Sequence, residues 1–244
     1  MKTLIASRSH LQNKNIIKYF TDSDIKVLDR PFISIEPLTD HNNFEIINQI
    51  NKYDKLIFIS SNAAACFKQL LNIHKLSLTN EQQVFCIGPT TKNELVSFLT
   101  QKIKYPENNF DSESLLNHPE LIYPNSQKIL IIRGQGGREV LKDTLESKGA
   151  SVEYLECYRR LLMPINFNEI KSHAESSKTF ILITSTEVAK HYLSLFNRNN
   201  EKFEATYIVN HNKIMDLLEP LKNKILLTKT LDPRNISLLM QNFT

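Results

Sequence analysis

Residues 128–160 read KILIIRGQGGREVLKDTLESKGASVEYLECYRR and contain the parts of a familiar local fold. The first seven, KILIIRG, hold a continuous apolar run that leads into a glycine-rich turn, which is typical of a strand covered on both faces. Residues 138–149 then have the apolar spacing of an amphipathic helix. A buried strand followed by a turn and a helix predicts part of a parallel α/β sheet.

Short apolar runs of the same kind recur along the chain and alternate with helical patterns. The other runs are KTLIAS, KLIFIS, QVFCIG, TFILITS, ATYIVN and KILLTK. Between them lie amphipathic stretches such as NAAACFKQLLNI and EVAKHYLSLF. This alternation predicts an α/β protein with doubly wound parallel sheets, in which helices cover both faces.

Composition limits the class of protein. The chain has 244 residues, of which 41% are hydrophobic and 23% charged, enough for one large domain or two small ones. No window approaches the ~18 consecutive apolar residues of a membrane span. The first residues also lack the long apolar region of a secretory signal. We therefore expect a cytoplasmic protein that makes no use of a membrane.

Metal sites and nucleic-acid binding are not expected. Cys66, Cys86 and Cys157 form no CxxC pair, which favours buried, reduced thiols. The seven histidines form no HxxxH or HExxH pattern, so no metal site is predicted. The net charge of +4 is scattered, whereas a protein that binds nucleic acid clusters its basic residues. A mild positive excess does suit an anionic ligand.

The sequence contains an internal repeat. LIFISSNAAA at residues 56–65 resembles FILITSTEVA at residues 180–189. Other paired segments recur at offsets of roughly 121–127 residues from one end of the chain to the other. The chain is therefore predicted to hold two copies of one α/β unit.

Two extended segments interrupt the strand–helix rhythm at equivalent places in the two copies. RPFISIEPL (30–38) and ECYRRLLMP (156–164) carry prolines at or near their ends, as edge and linking strands do. We predict that they are connector strands between two lobes. The central lobe is predicted to comprise residues 38–157, and the terminal lobe is discontinuous, with residues 1–33 and 164–244. A ligand cleft is predicted between the two lobes.

Two turns place small polar side chains where helices are predicted to begin. They are Ser60-Ser61-Asn62, after KLIFI, and Thr184-Ser185-Thr186, after TFILI. Ligands gather at the carboxyl ends of parallel strands, where helix N-termini present free N–H groups. The alternative is that these residues only cap their helices, which Ser, Thr and Asn favour without any ligand.

A third turn, Gly88-Pro89-Thr90-Thr91, ends the QVFC strand and begins a helix. Proline suits the first helical position. Gly88, Thr90 and Thr91 are candidate ligand contacts, and an ordinary helix start is the alternative.

The segment from Arg133 to Arg138 is the most unusual turn. Of the five glycines in the chain, Gly134, Gly136 and Gly137 lie between these two arginines. Glycine lets a ligand approach the backbone closely, and arginine offers a fork of donors that matches a carboxylate or phosphate. We predict anion binding here. The alternative is a tight strand-to-helix turn with solvated arginines.

Tyr158, in the second connector, is the candidate for acid chemistry. Its phenol has an ordinary pKa of ~10 and stays protonated at neutral pH, so it can donate a proton. The alternative is a tyrosine that only packs on a linking strand.

These pieces, in this order, resemble the uroporphyrinogen-III synthase family. The similarity rests on IFISSNAA, CIGPTTKNEL, DSESLL, the block from RGQGGR to CYRR, and ILITSTEVAKHYL, and it covers most of the chain. The resemblance implies two doubly wound, flavodoxin-like lobes joined by a two-stranded connector. It also implies that each repeat copy gives its first βαβ unit to one lobe and its remainder to the other.

The resemblance further implies an activity. The family closes hydroxymethylbilane, a linear tetrapyrrole with several carboxylates, loses water and inverts the last ring to form uroporphyrinogen III. It implies a monomeric lyase of tetrapyrrole and heme biosynthesis without metal or organic cofactor. Tyr158 takes the place of the family tyrosine and would be the acid, while N–H groups near Ser61, Thr90, Gly136 and Ser185 would bind carboxylates.

One position departs from the family pattern. Where the second copy often has another GPTT-like turn, this chain has Val209-Asn210-His211-Asn212, and a protonated His211 could supply the missing contact. The alternative function is a two-lobed, hinge-type protein that binds an anionic ligand without catalysis.

Overall fold

The computed structural model describes residues 2–243. Within this range the strands, in chain order, are β1 (Lys2–Ala6), β2 (Ile25–Asp29), β3 (Ile33–Pro37), β4 (Lys55–Phe58), β5 (Gln83–Cys86), β6 (Ile103–Lys104), β7 (Lys128–Gly134), β8 (Ser151–Leu162), β9 (Lys178–Leu182), β10 (Thr206–Val209) and β11 (Ile225–Leu227).

The helices alternate with these strands. They are α1 (His10–Phe20), α2 (His41–Asn48), α3 (Ser61–His74), α4 (Pro89–Leu95), α5 (Ser112–Leu116), α6 (Pro119–Ile122), α7 (Val140–Ser147), α8 (Phe167–Ser176), α9 (Thr186–Arg198), α10 (Asn212–Leu218) and α11 (Pro233–Gln241). No helix among residues 2–243 is long and apolar enough to cross a membrane.

All seven predicted apolar runs are strands, and the three quoted amphipathic stretches are α3, α7 and α9. Two strands were not predicted, β2 and β6. β2 lies at a sheet edge and buries only its first residue fully, and β6 has only two residues. Neither has room for the continuous apolar run that identifies a central parallel strand.

The chain separates into two compact units. The terminal unit comprises the residues up to Ser34 together with those from Leu161 onward, and the central unit is Ile35–Arg160. Both divisions fall inside strands, one in β3 and the other in β8.

The sheet of the terminal unit has the order β11-β10-β9-β1-β2, and its neighbouring strands are parallel. Ile5 and Ile181 pack in one buried cluster, whereas Leu4 and Leu182 pack in another. Because successive side chains of a strand point to opposite faces, the two clusters lie on opposite faces of the sheet. The sheet is therefore doubly wound.

The sheet of the central unit has the order β3-β8-β7-β4-β5-β6. Its strands from β8 to β6 pair in parallel. Phe58 and Ile132 belong to one buried cluster, and Ile57 and Ile131 to a second. Helix packing on both faces makes this sheet doubly wound as well.

The two sheets share one topology, which confirms the predicted fold class. β2-β1-β9-β10-β11 in the terminal unit corresponds to β8-β7-β4-β5-β6 in the central unit. In each, two strands from one half of the chain join three from the other, in the flavodoxin-like order 2-1-3-4-5. The order reverses at β1/β9 and at β7/β4, and ligands bind at such switch points.

Candidate functional site

The switch point of the central unit lies at the carboxyl ends of β4 and β7. The two strands pair through Phe58 and Ile132, and the Ile59 amide donates to the Ile132 carbonyl at 3.3 Å. The chain then leaves β4 through the Ser60 turn and leaves β7 through the glycine-rich loop at residues 134–137. Two turns that are far apart in sequence therefore begin side by side.

Ser60 starts α3 and also reaches the tyrosine of β8. Its Oγ accepts a hydrogen bond from the Ala63 amide at 3.1 Å, as an N-cap residue does. The same Oγ lies 3.1 Å from the Tyr158 hydroxyl oxygen. Ser61 and Asn62 are buried in the first turn of the helix. Helix capping and contact with Tyr158 therefore occur together in one residue.

A bulge in β8 places Tyr158. Arg133 pairs with Glu156, but the next residue of β7, Gly134, pairs with Tyr158, so Cys157 is an extra residue on β8. A bulge changes the direction of the side chains that follow it. Cys157 and Tyr158, although consecutive, are both buried in the same cluster. The Tyr158 carbonyl also accepts from the Gln135 amide at 2.7 Å.

Gly134 makes room for the Tyr158 ring. A Cβ atom at this position would lie 2.5 Å from two ring carbons and 2.9 Å from the hydroxyl oxygen. Such distances are well inside van der Waals contact, so any side chain here would displace the ring. Glycine is therefore required by the close approach of tyrosine to the backbone.

The Tyr158 phenol stays protonated. Only 3% of the residue is exposed, and burial raises its pKa although the Ser60 hydrogen bond and the Arg160 charge oppose that shift. The Arg160 guanidinium lies 5.9 Å from the ring centroid. The site thus contains a neutral phenol in a fixed position, held by a serine and near one positive charge.

Arg133, a predicted ligand contact, makes its contacts within the protein in this structure. Its side chain is 3% exposed, and its Nη1 donates to Glu139 Oε1 at 3.0 Å. Its Nε donates to the Gly136 carbonyl at 3.1 Å, and the guanidinium stacks 4.2 Å from the Tyr154 ring centroid. These partners engage Nε and Nη1 of the guanidinium, so in this structure Arg133 holds the loop together.

The glycine loop also contains its own anion. Gly136 and Gly137 have φ angles of 69° and 115°, which L side chains rarely adopt. The Gly136 amide donates to Glu156 Oε1 at 3.0 Å. In this structure the Glu156 carboxylate therefore accepts from an amide that was predicted to meet a ligand carboxylate.

Arg138 is exposed and paired. It forms an ion pair with Glu113 on α5, within the DSESLL segment. Both side chains are at least half exposed to solvent. A pair of this kind exchanges readily with water and with dissolved anions.

The turn at Gly88 begins α4. A Cβ at Gly88 would lie 3.0 Å from two atoms of Phe110, so this half-exposed ring covers the turn closely. Thr90 is exposed and Thr91 is buried. The turn follows β5, the neighbour of β4, and therefore lies at the same edge of the sheet as Ser60.

The remaining predicted site residues belong to the terminal unit. Thr184, Ser185 and Thr186 follow β9, and Ser185 caps α9 by accepting from the Val188 amide at 3.4 Å. His211 is exposed at the start of α10 and makes no side-chain capping bond.

Three further residues near the central site make contacts that the sequence did not predict. Glu156 fills the glycine loop, Tyr154 stacks on Arg133, and Arg160 donates to the Gln135 carbonyl at 3.2 Å. All three lie on β8. The alternation of a regular strand, counted from Tyr154, would predict the face of the sheet on which each of these side chains lies. The bulge in β8 changes that alternation, and the residue pattern does not reveal the bulge.

Comparison with known proteins gives consistent results. A family model described as uroporphyrinogen-III synthase HemD matches residues 14–214. The uroporphyrinogen-III synthase of Escherichia coli (strain K12) is 33% identical over 147 residues, which are 60% of this chain and 60% of that protein. That of Proteus mirabilis is 34% identical over 117 residues, covering 48% and 59%. The matched segments thus span about three fifths of these relatives' lengths.

Solved structures agree in fold. A mutant uroporphyrinogen III synthase from the extremely thermophilic bacterium Thermus thermophilus has a TM-score of 0.61 at 10% identity, with 99% of this chain and 98% of that chain covered. The uroporphyrinogen-III synthetase of Helicobacter pylori 26695 has a TM-score of 0.56 at 17% identity, with 99% and 100% covered. Because the family model spans most of the sequence, the chain belongs to the uroporphyrinogen-III synthase family.

Proposed function

We propose that this protein converts hydroxymethylbilane into uroporphyrinogen III. It would close the linear tetrapyrrole with loss of water and invert the last pyrrole ring. The observation that supports this most is the buried Tyr158 hydroxyl, which lies 3.1 Å from Ser60 Oγ at the switch point of a sheet. Membership of the family supplies the substrate.

The first chemical step needs an acid. When the bond between carbon and the hydroxymethyl oxygen breaks, that oxygen must gain a proton to leave as water. Tyr158 is the proposed donor because burial keeps its hydroxyl protonated, with a raised pKa. Ser60 would orient the hydroxyl and help it recover a proton, since a serine both donates and accepts.

Binding and positioning form the larger part of the proposed role. The substrate closes without inversion when left alone, so the enzyme must hold one reactive conformer, and such positioning lowers the entropic barrier. Its carboxylates would bind at helix starts in both units. The proposed contacts are Ser60, Ser61, Asn62, Gly88, Thr90, Thr91, Gly134, Gly136, Gly137, Thr184, Ser185 and Thr186, with Arg138 at the rim and Arg133 positioning the loop.

The wider setting is also part of the proposal. We expect a cytoplasmic monomer of tetrapyrrole and heme biosynthesis that needs no cofactor and binds no nucleic acid. A hinge-type protein that binds the same polycarboxylate without converting it is the competing function. Both would bind the substrate, and only the enzyme would change the isomer that forms.

The test is an isomer analysis. Purified protein is incubated with hydroxymethylbilane, the products are oxidised to porphyrins, and the type I and type III isomers are separated and quantified. We expect type III to predominate, at a rate proportional to protein concentration. Heat-denatured protein is the control and should give type I only. Type I alone from native protein, at the spontaneous rate, would overturn the enzymatic function and leave the binding protein.

A further inference from the structure

Arg8 lies just beyond β1, at the carboxyl edge of the terminal sheet. β1 ends at Ala6, which is paired with Leu182 of β9, and the Ser7 hydroxyl donates to the Leu182 carbonyl. Arg8 thus stands two residues past the end of β1, as Thr184 stands two residues past the end of β9. These are the strands at which the order of the terminal sheet reverses, where α/β proteins bind ligands.

The backbone of Arg8 is tightly held. The Arg8 carbonyl accepts from Asn13 Nδ2 at 2.8 Å, and the same amide group donates to the Ala6 carbonyl at 2.9 Å. The Ser7 carbonyl accepts from the Phe32 amide at 2.9 Å. The turn is therefore fixed by buried hydrogen bonds, which keeps the start of the arginine side chain in one place.

The Arg8 side chain, in contrast, has no counter-charge within the described range. The residue is partly buried, and its buried Nε has no hydrogen-bond partner among residues 2–243. Burial alone lowers its pKa to about 10, with no carboxylate acting in the opposite direction. Arg30, Arg133, Arg138 and Arg159 each form an ion pair.

A charged group that loses hydration without gaining a partner is costly for the folded protein. A second unsatisfied atom lies at the same edge. The Oδ1 of Asn210, directly after β10, is also buried without a partner within the described part of the chain. Buried polar atoms without a protein partner are ordinarily satisfied by a bound ligand, ion or water.

We propose that Arg8 binds a carboxylate of the ligand and is the principal anion contact of the terminal unit. The proposal rests on the proposed function for the identity of the ligand, a tetrapyrrole polycarboxylate. The planar guanidinium would hold one carboxylate through two parallel hydrogen bonds. It would also compensate for the GPTT-like turn that the second half of the chain lacks at 209–212.

The test compares Arg8→Met with Arg234→Met, a change at an exposed arginine that begins α11. Uroporphyrin I, an octacarboxylate that is not the substrate, is the binding probe, measured by its own fluorescence anisotropy. Arg8→Met should bind it ~10-fold more weakly, as expected for loss of a charge-assisted pair. Without ligand it should melt ~2–4 °C higher, because an unpaired buried charge is gone. Arg234→Met should change neither.

A structural arginine would behave in the opposite way. Unchanged binding by Arg8→Met, or a melting temperature below that of the wild type, would overturn the proposal. Arg8→Lys keeps the charge but loses the planar fork of donors, so this variant should bind uroporphyrin I severalfold more weakly than the wild type. It provides the test if the methionine variant does not fold, and wild-type affinity of Arg8→Lys would also overturn the proposal. The isomer assay on wild-type protein is separate. A protein that binds uroporphyrin through Arg8 but makes only type I would refute the proposed activity and leave this inference standing.

Discussion

At the scale of single residues, Tyr158 is the group on which the proposed chemistry depends. Tyr158→Phe removes only the hydroxyl and leaves the ring against Gly134. We expect turnover to fall ~10²-fold or more, in the range for loss of a general acid, with little change in the affinity for hydroxymethylbilane. Initial rates of type III formation measure this. Tyr123→Phe, at a tyrosine that is 88% exposed, is the control, and a wild-type rate for Tyr158→Phe would remove the tyrosine from this role.

Gly134 tests whether the position of the ring matters as well as its hydroxyl. A methyl group in Gly134→Ala would overlap two ring carbons at 2.5 Å and force the tyrosine to move. We expect a loss of turnover comparable with that of Tyr158→Phe, and a destabilisation of about 1–3 kcal/mol from overpacking. Gly136→Ala meets no atom within 4 Å but strains a φ of 69°, so it should lose stability while retaining more turnover. Equal turnover in the two variants would contradict the close-approach argument.

At the scale of elements, Ser60 and Ser185 each cap a long helix at a site turn. Ser60→Ala and Ser185→Ala both remove an N-cap and should cost ~1 kcal/mol of unfolding free energy each. Only Ser60 contacts Tyr158, so Ser60→Ala should also lower turnover. Urea denaturation and the isomer assay together separate the two effects. If Ser60→Ala lost stability but kept full turnover, the hydrogen bond between serine and tyrosine would have no catalytic part.

The glycine loop is an element that the Arg133 side chain holds together through contacts within the protein. Arg133→Met removes the buried partner of Glu139 and the stacking on Tyr154, and we expect it to cost ~2 kcal/mol or more because polar groups lose their hydrogen bonds. Arg138→Met removes an exposed pair and should cost less than ~1 kcal/mol. Urea denaturation of both variants measures the difference. The reverse order would return Arg133 to the role of a surface anion contact.

At the scale of the whole molecule, stability should depend on pH. Hydrogen bonds from Tyr53 lower the pKa of Glu153 in the central unit, and hydrogen bonds from Arg30 lower that of Glu169 in the terminal unit. Carboxylates with lowered pKa values bind fewer protons in the folded state than in the unfolded state. Their stabilisation is therefore complete above the ordinary value of about 4.3 and disappears as the pH falls through the lowered values.

We accordingly expect the free energy of unfolding to decrease between about pH 5 and pH 3, as measured by urea denaturation at each pH. Glu169→Gln should be less stable than the wild type at pH 6, with a smaller difference at pH 3. High salt should reduce the effect because both carboxylates are partly exposed. A wild-type stability that did not change over this range would contradict the assignment of these ion pairs.

The strands could be predicted because parallel strands buried on both faces must be apolar throughout. The runs at 56–59 and 180–183 are of this kind, and their short length and their isoleucine and phenylalanine content favour a strand over a buried helix. The helix starts at Ser60 and Ser185 could be predicted for a related reason, since capping is a local interaction within three residues. Which strands share a sheet depends on residues far apart in the chain. The expectation that each repeat copy contributes to both lobes therefore came from the family resemblance.

The sequence alone determines the class of fold, the buried central strands and the helix starts at Ser60 and Ser185, because each depends on residues close together in the chain. The partners of particular side chains depend on the tertiary structure. Arg133 and Arg138 look alike in sequence, yet one is buried against Glu139 and the other is exposed with Glu113. No sequence pattern distinguishes Arg8, and only its buried Nε, without a partner among the described residues, marks it. Burial and pairing are set by residues distant in the chain, and in the interior they decide what a charge costs.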